Sequence, residues 1–192
     1  MSDFIGHNCG LALVRLRKPL TWYRDQYGDP RWGLRQLYLL MEKQHNRGQD
    51  GAGIATVKTE MPPGEKFMLR VRSHRRNAIE RIFDVVMENM KHADPDFLRD
   101  LDDVAMKRSC EFLGDVYLGH LRYGTHSGYG RSYCSPIMRR NNRASRNLAL
   151  GGNFNMTNSR ELFQQLVEYG LNPVGESDTQ VILERIGYFL DQ

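Results

Sequence analysis

No stretch of this chain approaches the roughly 18 consecutive apolar residues that a membrane-spanning helix needs. Met1–Asn8 is too short and too polar for a secretory signal, so the cytoplasm is the expected compartment. Cysteine is scarce: Cys9, Cys110 and Cys134 are the only three, with no Cys-x-x-Cys pair. An odd count without that spacing argues against a disulfide framework and a zinc site, and no metal is expected. Internal repeats and low-complexity tracts are missing. So is any nucleic-acid-binding motif, which bears on the mildly basic balance of the chain, net charge +4. The excess is local. Arg70, Arg72, His74, Arg75 and Arg76 form one cluster, and Arg139, Arg140, Arg143 and Arg146 form another. Without a motif beside them they read as solvated polar segments, and neither a nucleic-acid nor a membrane partner is expected.

What is present fits one globular domain: 192 residues, 40% hydrophobic and 26% charged, leave room for one core and hardly two. Asn8–Leu16 reads as a strand ended by Arg-Lys-Pro, and 22–31 as a turn-rich stretch. From Trp32 the apolar spacing Leu34, Leu37, Tyr38, Met41 predicts a helix, which fades in "QHNRGQDGAG". Strands at 54–59 and 67–71 flank "MPPGE" and predict a hairpin. Residues 78–90 and 97–105 carry helical spacing without a motif, as core-packing helices. Val116–Arg122 predicts a strand and 148–150 another. Asn158 with Glu161 and Ser177 with Gln180 resemble capping boxes for the last two helices. In the final helix Val181, Ile182, Ile186, Phe189 and Leu190 mark the apolar stripe. Strands in hairpin-like pairs with helices in twos predict α+β rather than alternating βαβ.

Four loops follow these strands or precede these helices: 8–10, 45–53, 119–128 and 151–158. "ESDTQ" at 176–180 joins them at a helix start. A thiol site that hydrolyses an amide needs a nucleophile and a base, and an oxyanion hole of N–H donors. An amino-acid substrate adds a cation for its carboxylate and an anion for its ammonium. The chain offers Cys9 as nucleophile, with the Asn153 side chain and the Phe154 backbone N–H as oxyanion donors. Arg122 can grip a carboxylate bidentately, and Asp178 can accept from an ammonium. Each residue taken singly has an ordinary reading: a buried thiol, a turn asparagine, a surface arginine, a helix N-terminal acid. Cys110 and Cys134 read as ordinary thiols. No conventional base lies beside Cys9 except His7, two residues back on the same strand.

"CGLALVRL", "QHNRGQDGAGIA", "GHLRYGTHSG", "NFNMTN" and "ESDTQ" occur in order. In this the chain resembles the class II, N-terminal-nucleophile glutamine amidotransferases, nearest to the amidophosphoribosyltransferase branch. The resemblance runs from Cys9 to about residue 190 and is interrupted by a helical insertion at about 73–112. It implies a four-layer αββα sandwich. It also supplies the missing base: in this family the α-amine of the nucleophile's own residue takes the thiol proton, and such an amine titrates near about 7.7–8.0. A peptide nitrogen cannot do this, so residues 1–8 are expected to be a propeptide cut between Asn8 and Cys9. Cys9 would then attack the glutamine side-chain amide and form a γ-glutamyl thioester, releasing ammonia. Asn153 and Phe154 would hold the oxyanion, Arg122 the α-carboxylate and Asp178 the α-ammonium. Thr125 and His126 would shape the glutamine site, and Arg47, Gly48 and Asp50 would form the supporting loop. The ammonia would serve phosphoribosyl pyrophosphate in purine biosynthesis. No cofactor is implied, and a homo-oligomer is expected.

The chain departs from the family pattern in four places. Phe154 stands where the family has glycine, Gly152 where it has histidine, and Asn46 is an extra residue in the "QHRG" pattern. The family's glutaminase domain also continues with further strands beyond a point like Gln192. The fold is therefore expected to be incomplete at its C-terminus, with the phosphoribosyltransferase domain, a partner of the resembled enzymes, absent from this chain. Two alternatives stay open: a catalytically impaired glutamine-binding or interaction domain, and a glutaminase serving another acceptor such as a sugar phosphate.

Overall fold

The computed structural model describes residues 8–91, 94–124 and 130–192. Its main sheet has four strands: β1 (Gly10–Arg15), β2 (Gly51–Val57), β3 (Met68–Ser73) and β4 (Val116–Arg122), in the order β1-β4-β2-β3. Every neighbouring pair is antiparallel. β2 and β3 form the expected hairpin. β1 starts at Gly10, so Asn8 and Cys9 lie just before it, with Asn8 exposed and Cys9 half-buried.

Side chains alternate across a strand, and the two faces of this sheet differ. Ala12, Ala52, Ile54, Tyr117 and Leu121 belong to the buried core. Against that face pack α2 (Trp32–Glu42), through Leu34, Leu37 and Met41, and α3 (Ala78–Glu88), through Ile79, Ile82 and Val86. Two glycines allow the close approach of α2: a Cβ at Gly33 would lie 2.5 Å from the Tyr117 ring, and one at Gly119 would lie 2.5 Å from the Met41 sulfur. The turn-rich reading of 22–31 misses α1 (Leu20–Tyr27), whose Tyr23 and Tyr27 stack on Trp32. Aromatic packing explains this helix, whose own sequence carries little amphipathic signal. The single helix read at 97–105 is two, α4 (Pro95–Arg99) and α5 (Asp103–Ser109), each capped by the aspartate before it. The buried Lys107 ammonium meets Asp103 at 2.6 Å and Asp115 at 2.8 Å, tying α5 to the start of β4.

The opposite sheet face carries Leu118, His120 and Arg122 from β4 and Arg70 and Arg72 from β3. Directly over it runs the segment 131–137. β2 permits this because its first two residues on that side are Gly51 and Gly53. A Cβ at Gly53 would fall 2.3 Å from the Ser135 carbonyl oxygen, and one at Gly51 would fall 2.5 Å from the Cys134 sulfur. Backbone cannot yield as a flexible side chain can. Gly53→Ala is therefore expected to cost about 1–3 kcal/mol through overpacking, read as a lower urea midpoint, whereas Gly175→Ala, where an added Cβ meets nothing within 4 Å, should cost less. An unchanged midpoint for Gly53→Ala would show that 131–137 does not lie on the sheet.

Beyond this segment lie β5 (Ile137–Arg139) and β6 (Leu148–Leu150), an antiparallel pair, then α6 (Ser159–Glu168) and α7 (Asp178–Asp191). α7 packs on both short strands and on α6. The Arg139 guanidinium reaches Glu184 and Asp191 of α7, and Arg146 reaches Asp191. β5 escapes the sequence reading because three residues give no periodicity. The stripe expected on α7 is corrected: Val181, Leu183 and Gly187 are its buried positions, while Ile186, Phe189 and Leu190 are exposed. The Ser177 hydroxyl accepts from Gln180 N as the capping box predicts, but Asn158 makes no side-chain cap bond. No described helix is long and apolar enough to cross a membrane.

Candidate active site

Cys9 enters the site through the strand that follows it. Among the described residues β1 is an edge strand, so its outer N–H and C=O groups have no strand partner there. The Gln44 side chain supplies one: Leu11 N donates to its Oε1 and its Nε2 donates to Leu11 O, both at 3.2 Å. The same Nε2 donates to Leu40 O at 3.1 Å, tying the edge to the end of α2. On the inner side the Tyr123 N–H donates to Cys9 Sγ at 3.3 Å. The thiol is thus held between the N-terminal end of one strand and the residue that follows its neighbour.

The loop at 45–53 braces this corner. Asp50 N donates to Arg122 O, and Asp50 Oδ2 accepts from Gly124 N at 2.7 Å. Gly48 must be glycine, since a Cβ there would sit 2.6 Å from the backbone carbon of Leu121. Arg47 is exposed and is not among the residues lining the cavity below. The added Asn46 sits in a 3-10 turn, His45–Arg47. Thr125 and His126 lie outside the described residues.

Cys9, Arg122, Asn153, Phe154 and Asp178 all line one cavity of about 490 Å³. They come from four separate segments of the chain. Arg122 Nη1 donates to Tyr133 O at 2.6 Å, and the guanidinium carbon lies 5.5 Å from the centre of the Tyr133 ring. Asp178 Oδ2 accepts from Met156 N at 2.7 Å, so the first residue of α7 also fastens the loop that carries Asn153 and Phe154. A carboxylate has about four acceptor sites, and this bond uses one. Asn153 is exposed, as is Phe154.

The two departures from the family pattern around Asn153 are linked in space. A Cβ at Gly152 would fall 2.5 Å from the Phe154 ring. The ring therefore occupies the space that a side chain at 152 would need, and an aromatic at 154 is compatible with a glycine at 152. Among the described residues only Glu60 and Asn77 are non-glycine positions with positive φ. Phe154 thus keeps an ordinary backbone conformation and presents its N–H without strain.

His120 is a site residue that the sequence reading passed over. It lines the same cavity, is buried, and among the described residues has no hydrogen-bond partner at either ring nitrogen. Burial pushes its pKa down to about 4, and the Arg122 guanidinium adds to the shift; the Gly152 backbone opposes it without forming a bond of full hydrogen-bonding geometry. The available signal was the i, i+2 spacing of His120 and Arg122 on a predicted strand, which puts both on one face. Cys110 and Cys134 are buried, and burial pushes both thiols up. Among the described residues no group of three His, Cys, Asp or Glu side chains is placed to hold a metal ion.

No family model matches the chain. Solved structures nevertheless share its fold. Glutamine phosphoribosylpyrophosphate (PRPP) amidotransferase from B. subtilis, complexed with ADP and GMP, superimposes with a TM-score of 0.53 at 23% identity, over 90% of this chain and 28% of that one. A structure of the allosteric regulatory enzyme of purine biosynthesis gives 0.55 at 24% identity, over 92% of this chain and 28% of that one. The mixed α/β fold, with its antiparallel sheet and flanking helices, matches the fold of the superimposed part of these enzymes. In sequence the chain is 27% identical over 161 residues to amidophosphoribosyltransferase 3, chloroplastic, of Arabidopsis thaliana, covering 83% of this chain and 24% of that protein. It is therefore homologous to amidophosphoribosyltransferase through most of its own length, and it spans about a quarter of the relatives it matches.

Proposed function

We propose that residues 9–192 form a glutamine amidotransferase domain that hydrolyses glutamine through a Cys9 thioester. One observation carries the reading: a single cavity is lined by a thiol, a guanidinium, an asparagine loop and a carboxylate, the set that amide hydrolysis on an amino acid requires. Once residues 1–8 are removed, the α-amine of Cys9 takes the thiol proton and Sγ attacks the side-chain carbonyl carbon of glutamine. The oxyanion is held by the Asn153 side chain and the Phe154 N–H. The C–N bond breaks, and the proton leaves with ammonia. Water then attacks the thioester, giving glutamate and restoring the thiol. Arg122 and Asp178 fix the α-carboxylate and α-ammonium, and Thr125 and His126 complete the glutamine site. Asp50 and Gly48 brace the corner from which Arg122 projects.

The homology supports PRPP as the acceptor of the ammonia, through a phosphoribosyltransferase domain outside these residues. The placement of α2 and α3 on one sheet and α7 on the other supports a four-layer αββα arrangement. Helix α3 covers β2 and β3, so at least part of the 73–112 insertion belongs to the outer layer.

Intact-mass spectrometry tests the central step: a chain beginning at Cys9 and active on glutamine is expected. Persistence of residues 1–8 without glutaminase activity would favour the second reading, a glutamine-binding domain without catalysis. The observation on its side is the phenylalanine at the oxyanion position, with its ring against Gly152. Arg122→Ala is expected to raise KM for glutamine about ten- to a hundredfold with a smaller change in kcat, the loss of a charge-assisted contact made in ground and transition states alike. Steady-state kinetics checks this, and a lowered kcat at unchanged KM would remove Arg122 from the carboxylate role.

A further inference from the structure

The two basic clusters that stand far apart in the sequence meet in the fold. Arg70 and Arg72 of β3 and Arg139 and Arg140 at the end of β5 line one cavity of about 930 Å³, bordered by the first turn of α7 at Ser177 and Gln180. Two carboxylates share it, Glu176 and Glu184. Glu184 is taken by Arg139, whose guanidinium also holds Asp191. Arg72 is fixed by donating to Ser132 O at 3.2 Å and Cys134 O at 2.7 Å. Among the described residues Arg70, Arg140 and the nearby Arg131 make no ion pair. Arg70, Arg131 and Arg140 are exposed, and partial desolvation together with the guanidinium groups of Arg72, Arg131 and Arg140 lowers the Arg70 pKa from the usual arginine range. Arginines gathered at a concave surface with too few carboxylates repel one another, and an anion relieves the repulsion.

We propose that this cavity binds a phosphate-bearing small molecule through Arg70, Arg72 and Arg140. Guanidinium groups match phosphate oxygens in pairs. The cavity is larger than one phosphate requires, which fits a phosphorylated metabolite rather than a free ion. It is concave and local, unlike the extended basic track that a nucleic-acid strand follows. This cavity adjoins the candidate glutamine site, the two sharing Ser132, Tyr133, Glu176 and Ser177 in their walls, and the 131–134 turn lies between Arg72 and Arg122, which both donate to its carbonyls. An occupied cavity would thus press on the same turn that positions Arg122.

The test is equilibrium binding of inorganic pyrophosphate to the Cys9→Ala protein at low salt, which separates anion binding from any thiol chemistry. Saturable binding is expected at a Kd of about 1 mM or tighter. It should weaken at least about tenfold in Arg70→Ala/Arg140→Ala, the loss of one tenfold step for about 1.4 kcal/mol of contact. Arg75→Ala/Arg76→Ala, outside the cavity, should bind as the parent does. Displacement by ribose 5-phosphate would mark a sugar-phosphate ligand, and displacement only by a nucleoside diphosphate would mark a nucleotide. No saturable binding, equal affinity in the Arg70→Ala/Arg140→Ala protein, or single-stranded RNA outcompeting every small phosphate would overturn the proposal.

Discussion

Cys9→Ala is expected to abolish glutamine hydrolysis, a loss of at least about a thousandfold in kcat, while the protein keeps its fold. The size follows from chemistry. Without the sulfur no thioester forms, and only the oxyanion donors and the substrate clamp remain to act on water. The fold should survive because Cys9 precedes β1, is half-buried, and its thiol meets the backbone of one residue, accepting from Tyr123 N at 3.3 Å and donating to Tyr123 O at 3.8 Å. Cys9→Ser should be nearly as inactive, since a hydroxyl is far less acidic than a thiol and its own α-amine is a weak base for it. Circular dichroism and ammonia release measured on the same samples check both halves. Full glutaminase activity in Cys9→Ala would refute the nucleophile and leave Cys110 and Cys134 as the remaining thiols, both buried. A variant in which the bond after Asn8 resists cleavage should be as inactive as Cys9→Ala, because its thiol is intact while its base is locked in a peptide. That pairing separates loss of the nucleophile from loss of the base.

The strand ends and their loops were legible because short motifs there carry their own chemistry. "GHLR" reads as a strand with a cation at its end, and Val116–Arg122 is that strand to the residue. The Ser177 cap was legible because its bond is local, within one helical turn. What escaped depends on contacts distant in sequence. α1 forms beneath an aromatic stack with Trp32, and nothing in "LTWYRDQY" announces the partner. Gln44 looks like one polar residue in a polar loop until β1 is known to be an edge that needs an amide. Gly51 and Gly53 read as loop residues, yet they are in β2, where their missing side chains admit the 131–137 segment. The two arginine clusters are largely solvated, as expected, with Arg70, Arg75, Arg76, Arg140 and Arg143 exposed, but no local pattern shows that β3 and β5 bring four of these arginines to one cavity. Phe154 and Gly152 read as two separate departures from the family pattern, because the sequence does not show that the ring at 154 fills the space beside 152.

Protein stability is expected to fall by about 3 kcal/mol between pH 6.5 and pH 4 through His120 alone, the energy equivalent of a pKa held at about 4 in the folded chain against 6.5 in the unfolded one. Above pH 6.5 the imidazole is neutral in both states and contributes no slope. Between 6.5 and 4 the unfolded chain binds a proton that the folded chain refuses, so acid favours unfolding. Below 4 both states are protonated, and the cost stays at its full value. The cause is burial first, with the Arg122 guanidinium adding to it, because a cation at 120 would share a strand face with the cation at 122. Urea unfolding at intervals across this range should show the slope in the parent. His120→Gln, which cannot take the proton, should flatten it by about the same amount while leaving stability near pH 7 less changed. Carboxylates elsewhere also titrate on the acid side, so the difference between the two proteins is the quantity that isolates His120. An identical acid slope in both would mean that the imidazole meets solvent, and that the floor of the cavity between Arg122 and Gly152 is open where the structure has it closed.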